Sequence, residues 1–150
     1  MADQAFINDD FLGKGWSFPP TFNISSKSVE ITEKEADIQR SLEILLTTTV
    51  GERVMEPKYG CNMGDIVFEP LNTTTKTIII DRIRTAILYF ESRIDAKNIS
   101  LDTTSETEGL VLVVIDYVVR ATNSRFNFVY PYYIDEGSEI QILTTNTQTA

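Results

Sequence analysis

The sequence predicts a single α+β domain: an N-terminal arm, two main helices and a C-terminal antiparallel β-sheet. Three observations lead there. Residues 1–31 hold almost no helical period, two stretches (about Glu33 to Thr48 and Thr74 to Ile94) repeat apolar residues at helical spacing, and from Ile99 onward the period changes to alternation. The expected boundaries are an arm over 1–31, the α+β domain over 32–142 and a small polar tail over 143–150, with no internal repeat.

The arm is read from Gly13, Gly15, the Pro19-Pro20 pair and two short alternating pieces, Phe22 with Ile24 and Val29 with Ile31. These spell an extended segment and a small hairpin across Ser25, Ser26 and Lys27. Trp16 and Phe18 are expected to tack the arm onto the core. Thr32 with Glu35 three residues on forms a capping-box pattern, and Ile38, Leu42, Leu45 and Leu46 then recur at i, i+4, i+7 and i+8, which gives the first helix. The β-branched run Thr47, Thr48, Thr49 and Val50 weakens its end. Asp65 to Phe68 reads as one helical turn or a short bridge closed by Pro70. The long helix sets Ile79, Ile83, Ala86, Ile87, Phe90 and Ile94 on one stripe, and Leu88 and Tyr89 widen its apolar surface beyond a single core.

In the last third Ile99 and Leu101 open a short strand and residues 105–109, SETEG, make a turn. Leu110 to Val119 is apolar on both faces, so a strand there calls for cover on both sides. Asn123 and Ser124 turn into a run where Phe126, Phe128 and Tyr130 alternate with Asn127 and Val129, and the two runs are expected to pair as a hairpin. Pro131 confines the second run to an edge or ends it.

Between the helices lies the loop GERVMEPKYG, Gly51 to Gly60. Pro57 fixes its own φ and keeps Glu56 out of the helical region, while the flanking glycines accept backbone angles that other residues resist. Such a loop holds one shape and sets the angle of the chain that follows. Glu52 and Arg53 are expected to pin it and the first helix's C-terminus through charge-assisted hydrogen bonds.

Composition narrows the chemistry. The 150 residues are enough for one domain that buries roughly two thirds of its unfolded surface. No apolar run approaches the ~20 residues of a membrane span, and the acidic N-terminus MADQAFINDD is unlike a secretory signal, so a cytoplasmic site of synthesis is expected. Cys61 is single, which rules out an internal disulfide and a multi-cysteine metal cage and makes it a small filler beside Gly60. There is no histidine, which removes the usual general base and the commonest zinc ligand. A net charge of −9 opposes attraction to nucleic acid or an anionic membrane and favours a basic partner surface. No catalytic, cofactor or metal residue is assigned, and no cofactor is expected.

The run LEILLTTTVGERVMEPKYGCNMGDIVFEPLN, Leu42 to Asn72, together with FLGKGWSFPPTF, Phe11 to Phe22, and YFESRI, Tyr89 to Ile94, resembles the phage baseplate wedge family. That family is shared by contractile phage tails, type VI secretion baseplates and extracellular contractile injection particles, and is sometimes labelled lysozyme-like. The resemblance implies a non-enzymatic wedge component, six copies per baseplate, whose sheet is like the interlocking domain of sheath subunits. Its implied partners are wedge core proteins and the sheath, with tube or hub proteins as further neighbours. Its implied destination, after cytoplasmic synthesis, is the baseplate of a contractile particle.

The resemblance also assigns residues. The family's Glu-Pro-Arg motif at the end of the long helix, implied to dock on the wedge core bundle, falls on Glu91, Ser92 and Arg93, with serine in place of proline. Two apart on a continuous helix, Glu91 and Arg93 would grip a partner rather than each other. Gly51, Glu52, Arg53, Pro57 and Gly60 match the family's structural loop. The strands carrying Val111, Val113, Ile115, Phe126, Phe128 and Tyr130 are the expected sheath-facing elements, able to take a strand from another chain. The arm is implied to touch neighbours as well.

Two other functions compete with this reading. A peptidoglycan glycosidase would use Glu52 or Glu56 as general acid, but Arg53 and Lys58 nearby would hold such a carboxyl ionised. An acidic interaction module unrelated to tails is the other.

Overall fold

The computed structural model describes residues 12–64, 70–104 and 109–133. The expected turn at Asp65 to Phe68, most of the SETEG turn and the polar tail lie outside the described residues.

Residues 14–33 form one long bulged hairpin. Strand β1 (Lys14–Trp16) pairs antiparallel with β4 (Ile31–Glu33), and farther out β2 (Phe22–Asn23) pairs with β3 (Ser28–Val29). The ladders are joined by Ser17 N–H donating to the Glu30 carbonyl and Glu30 N–H to that of Thr21, both 2.9 Å. At the tip, the Asn23 side chain accepts from the Ser25 and Ser26 amides, and Lys27 takes the left-handed conformation (φ 51°) that closes the turn. Trp16 and Phe18 do not tack this arm down, Phe18 being 44% exposed. Trp16 is 66% exposed and Phe22 67%, because alternation along β1 turns Gly15 toward the first helix and so turns Trp16 away.

Helix α1 (Lys34–Thr47) buries Ile38, Leu42, Leu45 and Leu46 as the spacing requires. Its start differs from the capping box. Glu33 holds the N-cap position without a side-chain cap, and the Thr32 hydroxyl turns instead to the Gly15 carbonyl and to Asp37 Oδ1. Helix α2 (Thr73–Phe90) is capped by the Asn72 side chain, which accepts from the Thr75 amide at 2.8 Å, and buries Ile79, Ile83, Ala86 and Ile87. It stops short of the expected end. Glu91 leaves the helical region (φ −128°, ψ 74°), and Ile94 belongs to the first long strand instead of the helical stripe.

The C-terminal sheet has the order β5 (Ile94–Asp102), β6 (Leu110–Val119), β7 (Ser124–Tyr133), all antiparallel. Its inner face carries Ile94, Ile99, Val111, Val113, Ile115, Tyr117 and Val119, all buried against the helices, with Phe126, Phe128, Tyr130 and Tyr132 of β7 half-buried along the same face. Each fully buried aliphatic side chain contributes ~1.5–3 kcal/mol, against ~0–1 for a surface ion pair, so this row fixes the sheet to the helices. The opposite face, with Leu112, Val114, Val129 and Tyr133, has no covering element among the described residues.

The register also settles which backbone groups face outward. Arg120 N–H bonds back to the Arg93 carbonyl and Asn123 N–H to that of Val119. Even-numbered β6 residues therefore turn their amides to β5 and odd-numbered ones to β7. On β7, Phe126, Phe128 and Tyr130 bond inward to β6, whereas Arg125, Asn127, Val129 and Pro131 point to the free edge. Pro131, which has no N–H, sits where none is needed.

Candidate functional site

Three places collect the residues singled out by sequence. The first is the end of α2. Because the helix stops at Phe90, Glu91 and Arg93 do not project from a continuous helix; they turn toward each other, contrary to expectation. Arg93 Nε and Nη2 donate to the two Glu91 carboxylate oxygens, both at 2.7 Å, and Nη1 reaches Asp37 Oδ2 at 2.7 Å and the Leu12 carbonyl at 2.8 Å. Glu91 is 3% exposed. Burial alone would raise its carboxyl, but hydrogen bonds from Arg93 and the Ser41 hydroxyl, with the Arg93 charge, outweigh that and hold it below the ordinary value. The Arg93 guanidinium is held charged still more firmly, chiefly by its Glu91 hydrogen bonds. Ser92 lies in the turn between them.

Asp37 and the Leu12 carbonyl complete this cluster and were not visible in sequence. An acid in the first turn of a helix ordinarily reads as a dipole partner. The one available hint was Gly15: a Cβ there would run into Asp37 Oδ1, so the glycine marks a close approach of arm to helix.

The second place is the loop after α1. Gly51 N–H donates to the Pro57 carbonyl (2.8 Å), Cys61 N–H to Thr48 (2.9 Å), and Val50 N–H to Asn62 Oδ1 (3.0 Å). Gly60 lies at φ 124°, and a Cβ there would meet the Thr48 carbonyl, so this loop closes only with glycine at that point. Glu52 accepts from the Thr49 amide at 3.1 Å, the pinning role expected of it. Arg53 acts differently: its guanidinium lies 4.1 Å over the Tyr59 ring, which in turn meets Phe90 edge-on at 5.2 Å. Cys61 is buried, and its thiol is pushed up to about 11 by that burial. Between loop and α2 runs an open groove of about 700 Å³, with Val50, Ala86, Tyr89 and Phe90 on its walls. Leu88 and Tyr89 stand out from α2 in solvent.

The third place is the sheet. Val111, Val113 and Ile115 are buried in the core, and Phe126, Phe128 and Tyr130 lie half-buried along the same face of the sheet. Alternation gives the reason: apolar β7 residues share the face of their β6 partners. What β7 offers is its backbone edge. The β5 edge is interrupted by a bulge at Lys97. Among the described residues no group of three or more His, Cys, Asp or Glu could hold a metal ion, and no helix is long and apolar enough to cross a membrane.

Comparison with known proteins joins these features. The sequence model of the baseplate wedge protein gp25 family matches residues 32–124. Baseplate wedge protein gp25 of Enterobacteria phage T4 is 34% identical over 58 residues, 39% of this chain and 44% of that protein, so the match spans less than half of the relative's length. A candidate tail lysozyme from Geobacter sulfurreducens shares the fold with a TM-score of 0.67 and 40% identity, over 74% of this chain and all of the other. A chain of the anti-feeding prophage baseplate, solved with 6-fold symmetrisation, aligns with a TM-score of 0.61 and 25% identity, over 85% of this chain and 90% of its own length.

Proposed function

This chain belongs to the baseplate wedge protein gp25 family, a family of structural components of contractile tails, and from that premise we propose that it works without catalysis, joining wedge core proteins to the first sheath subunits. The observation that carries this reading is the β7 edge. Arg125, Asn127 and Val129 direct their backbone groups outward on a strand that no described element covers, which favours strand addition by a sheath chain. Pro131 limits the incoming strand to the segment before it. The turn around Ser92 contacts the wedge core, next to Arg93, which keeps 26% of its side chain in solvent. Six copies per baseplate, with tube or hub proteins nearby, complete the proposal.

The test is on particles. Asn127→Pro and Val129→Pro variants, shown to be folded by circular dichroism, are assembled into baseplates and imaged; baseplates without sheath are expected. Full-length sheaths on both would sink strand addition.

The lysozyme label of the Geobacter protein keeps a glycosidase as the second reading. Glu52, its candidate acid, is occupied with the Thr49 amide, as befits a loop pin. Purified protein is expected to show only background peptidoglycan turnover, unchanged in Glu52→Gln and Glu56→Gln. Robust turnover abolished by either change would overturn the structural reading.

A further inference from the structure

We propose that free copies of this protein pair with one another through β7, edge to edge about a two-fold axis at Asn127, and that this pairing withholds the β7 edge from a sheath strand until the protein is held in a baseplate. The pairing stands on the geometry of the sheet; the withholding rests on the strand-addition reading above.

Strand β7 lacks the devices that ordinarily protect an edge. Its register with β6 runs unbroken from Leu110 opposite Tyr133 to Val119 opposite Ser124, with no bulge to twist it away. Among the described residues no strand lies on its far side. The backbone groups of Arg125, Asn127 and Val129 therefore stand in a row as a template for another strand, and Pro131 closes only one end of it.

The edge fits a second copy of itself in one register. Antiparallel pairing about Asn127 sets Asn127 against its own copy and Arg125 against the second copy's Val129, so every outward N–H and C=O of these residues exchanges a bond. Pro131 then falls opposite the second copy's Asn123, in the turn before β7, where no bond is asked of it. Centring the axis on Arg125 would bring two guanidinium groups together, and centring it on Phe128 or Val129 would set Pro131 at a bonding position. Centring it on Phe126 would leave Val129 against the turn.

The side chains agree with that register. Phe126 and Phe128 are only half-buried on the inner face, since α2 packs on β5 and β7 packs chiefly on β6. Phe126 stacks on Tyr117 with ring centroids 5.9 Å apart, which leaves its edge-facing side open. In the pair, Phe126 meets the second copy's Phe128 at a non-hydrogen-bonded position, where cross-strand side chains come closest, and the phenylalanines of both copies close over the joint. A sheath strand needs the same backbone groups, so only one of the two can be bound. Neighbours around a six-fold axis are not related by a two-fold, so placement in the baseplate separates the pair.

The test uses the full chain. Sedimentation velocity is expected to show a reversible monomer–dimer equilibrium with a dissociation constant of about 10 µM, as suits a contact of small area. Val129→Glu faces the second copy's Arg125 and is expected to tighten the dimer about fivefold, and Val129→Lys to weaken it by about as much, since each change occurs twice. Asn127→Pro is expected to be monomeric. Asn127→Cys is expected to link to its own copy under diamide, because facing Cα atoms about 5.5 Å apart accept a disulfide. Arg125→Cys and Val129→Cys are expected to link only when mixed, and the parent, whose Cys61 is buried, to remain unlinked. Purified sheath protein of the same particle is expected to bind the reduced Asn127→Cys chain at least about tenfold more tightly than the linked dimer.

A chain that stays monomeric to about 200 µM overturns the pairing. So does a dimer that ignores the charge at position 129 or links through Arg125→Cys alone, because it uses another surface. Hydrogen exchange that finds the Asn127 and Val129 amides equally protected in dilute and concentrated protein means that the chain covers its own edge, and overturns it too. Equal binding of sheath protein to monomer and linked dimer removes the withholding and leaves the pairing. Sheath protein that binds neither form sinks the strand-addition reading and the withholding with it, while sedimentation and cross-linking still decide the pairing.

Discussion

Arg93 decides more at the residue scale than any other side chain. Truncating one member of a buried charge cluster costs ~3–5 kcal/mol because the remaining charges stay buried. Arg93 and Asp37 keep 26% and 15% of their side chains exposed, so the lower part of that range applies. Arg93→Ala is therefore expected to lower the melting temperature by roughly 5 to 10 °C, measured by calorimetry. An unchanged melt would place the cluster at the surface energetically. Glu91 gives the same cluster a pH signature. Its folded-state pKa is depressed, so its contribution is present above the unfolded value of ~4.3 and is lost as pH falls through the folded one. The parent should lose stability on acidification below about pH 4.3 more steeply than Glu91→Gln does. Cys61 offers a simpler check. With its thiol pushed up to about 11, native protein at pH 8 should react with iodoacetamide a few hundredfold more slowly than urea-unfolded protein.

At the scale of elements, backbone direction matters more than side-chain type. Along β7, proline at Asn127 or Val129 removes an N–H that faces the edge, whereas proline at Phe128 removes one bonded to β6. Phe128→Pro should cost ~3 kcal/mol or more and the other two little, read from urea midpoints. Equal losses at all three would mean that the register is shifted. In the loop, Gly60→Ala forces a side chain onto the Thr48 carbonyl at φ 124° and should destabilise clearly, while at Gly51 a Cβ meets nothing and only the positive φ (91°) counts against it. A larger loss at Gly51 than at Gly60 would contradict this account of loop closure.

The whole molecule joins a tightly packed α+β body to a thinly supported finger. Val113, Ile115 and Val119 are fully buried at the centre of the sheet, while β2 and β3 pair over only two residues each and bury little. Native-state hydrogen exchange should accordingly find the slowest amides on β6 and the fastest ordered ones on β2 and β3. Uniform protection would show that finger and body open together. Charge is distributed just as unevenly. All thirteen Lys and Arg lie within the described residues, together with twelve of the twenty-two acids, so the described part is close to neutral while the whole chain carries −9.

Periodicity determined the elements, because burial of one face of a helix or strand imposes its spacing on the chain: Ile38 to Leu46, Ile79 to Ile87 and the alternation from Val111 to Tyr130 are legible without coordinates. The glycine and proline positions likewise determined a loop of fixed shape, since backbone angles are local. Direction and partnership were decided only by the tertiary structure. The end of α2 at Phe90 is one such case, for the pairing of Ile94 with Val119 claims residues that helical spacing would also accept. The inward turn of Glu91 and Arg93 is another, because their partners Asp37 and Leu12 are distant in sequence. The outward turn of Trp16 is the third: whether an aromatic residue covers a core or faces solvent depends on which face its neighbour Gly15 presses against α1, and that close approach is a contact between elements, not a property of either.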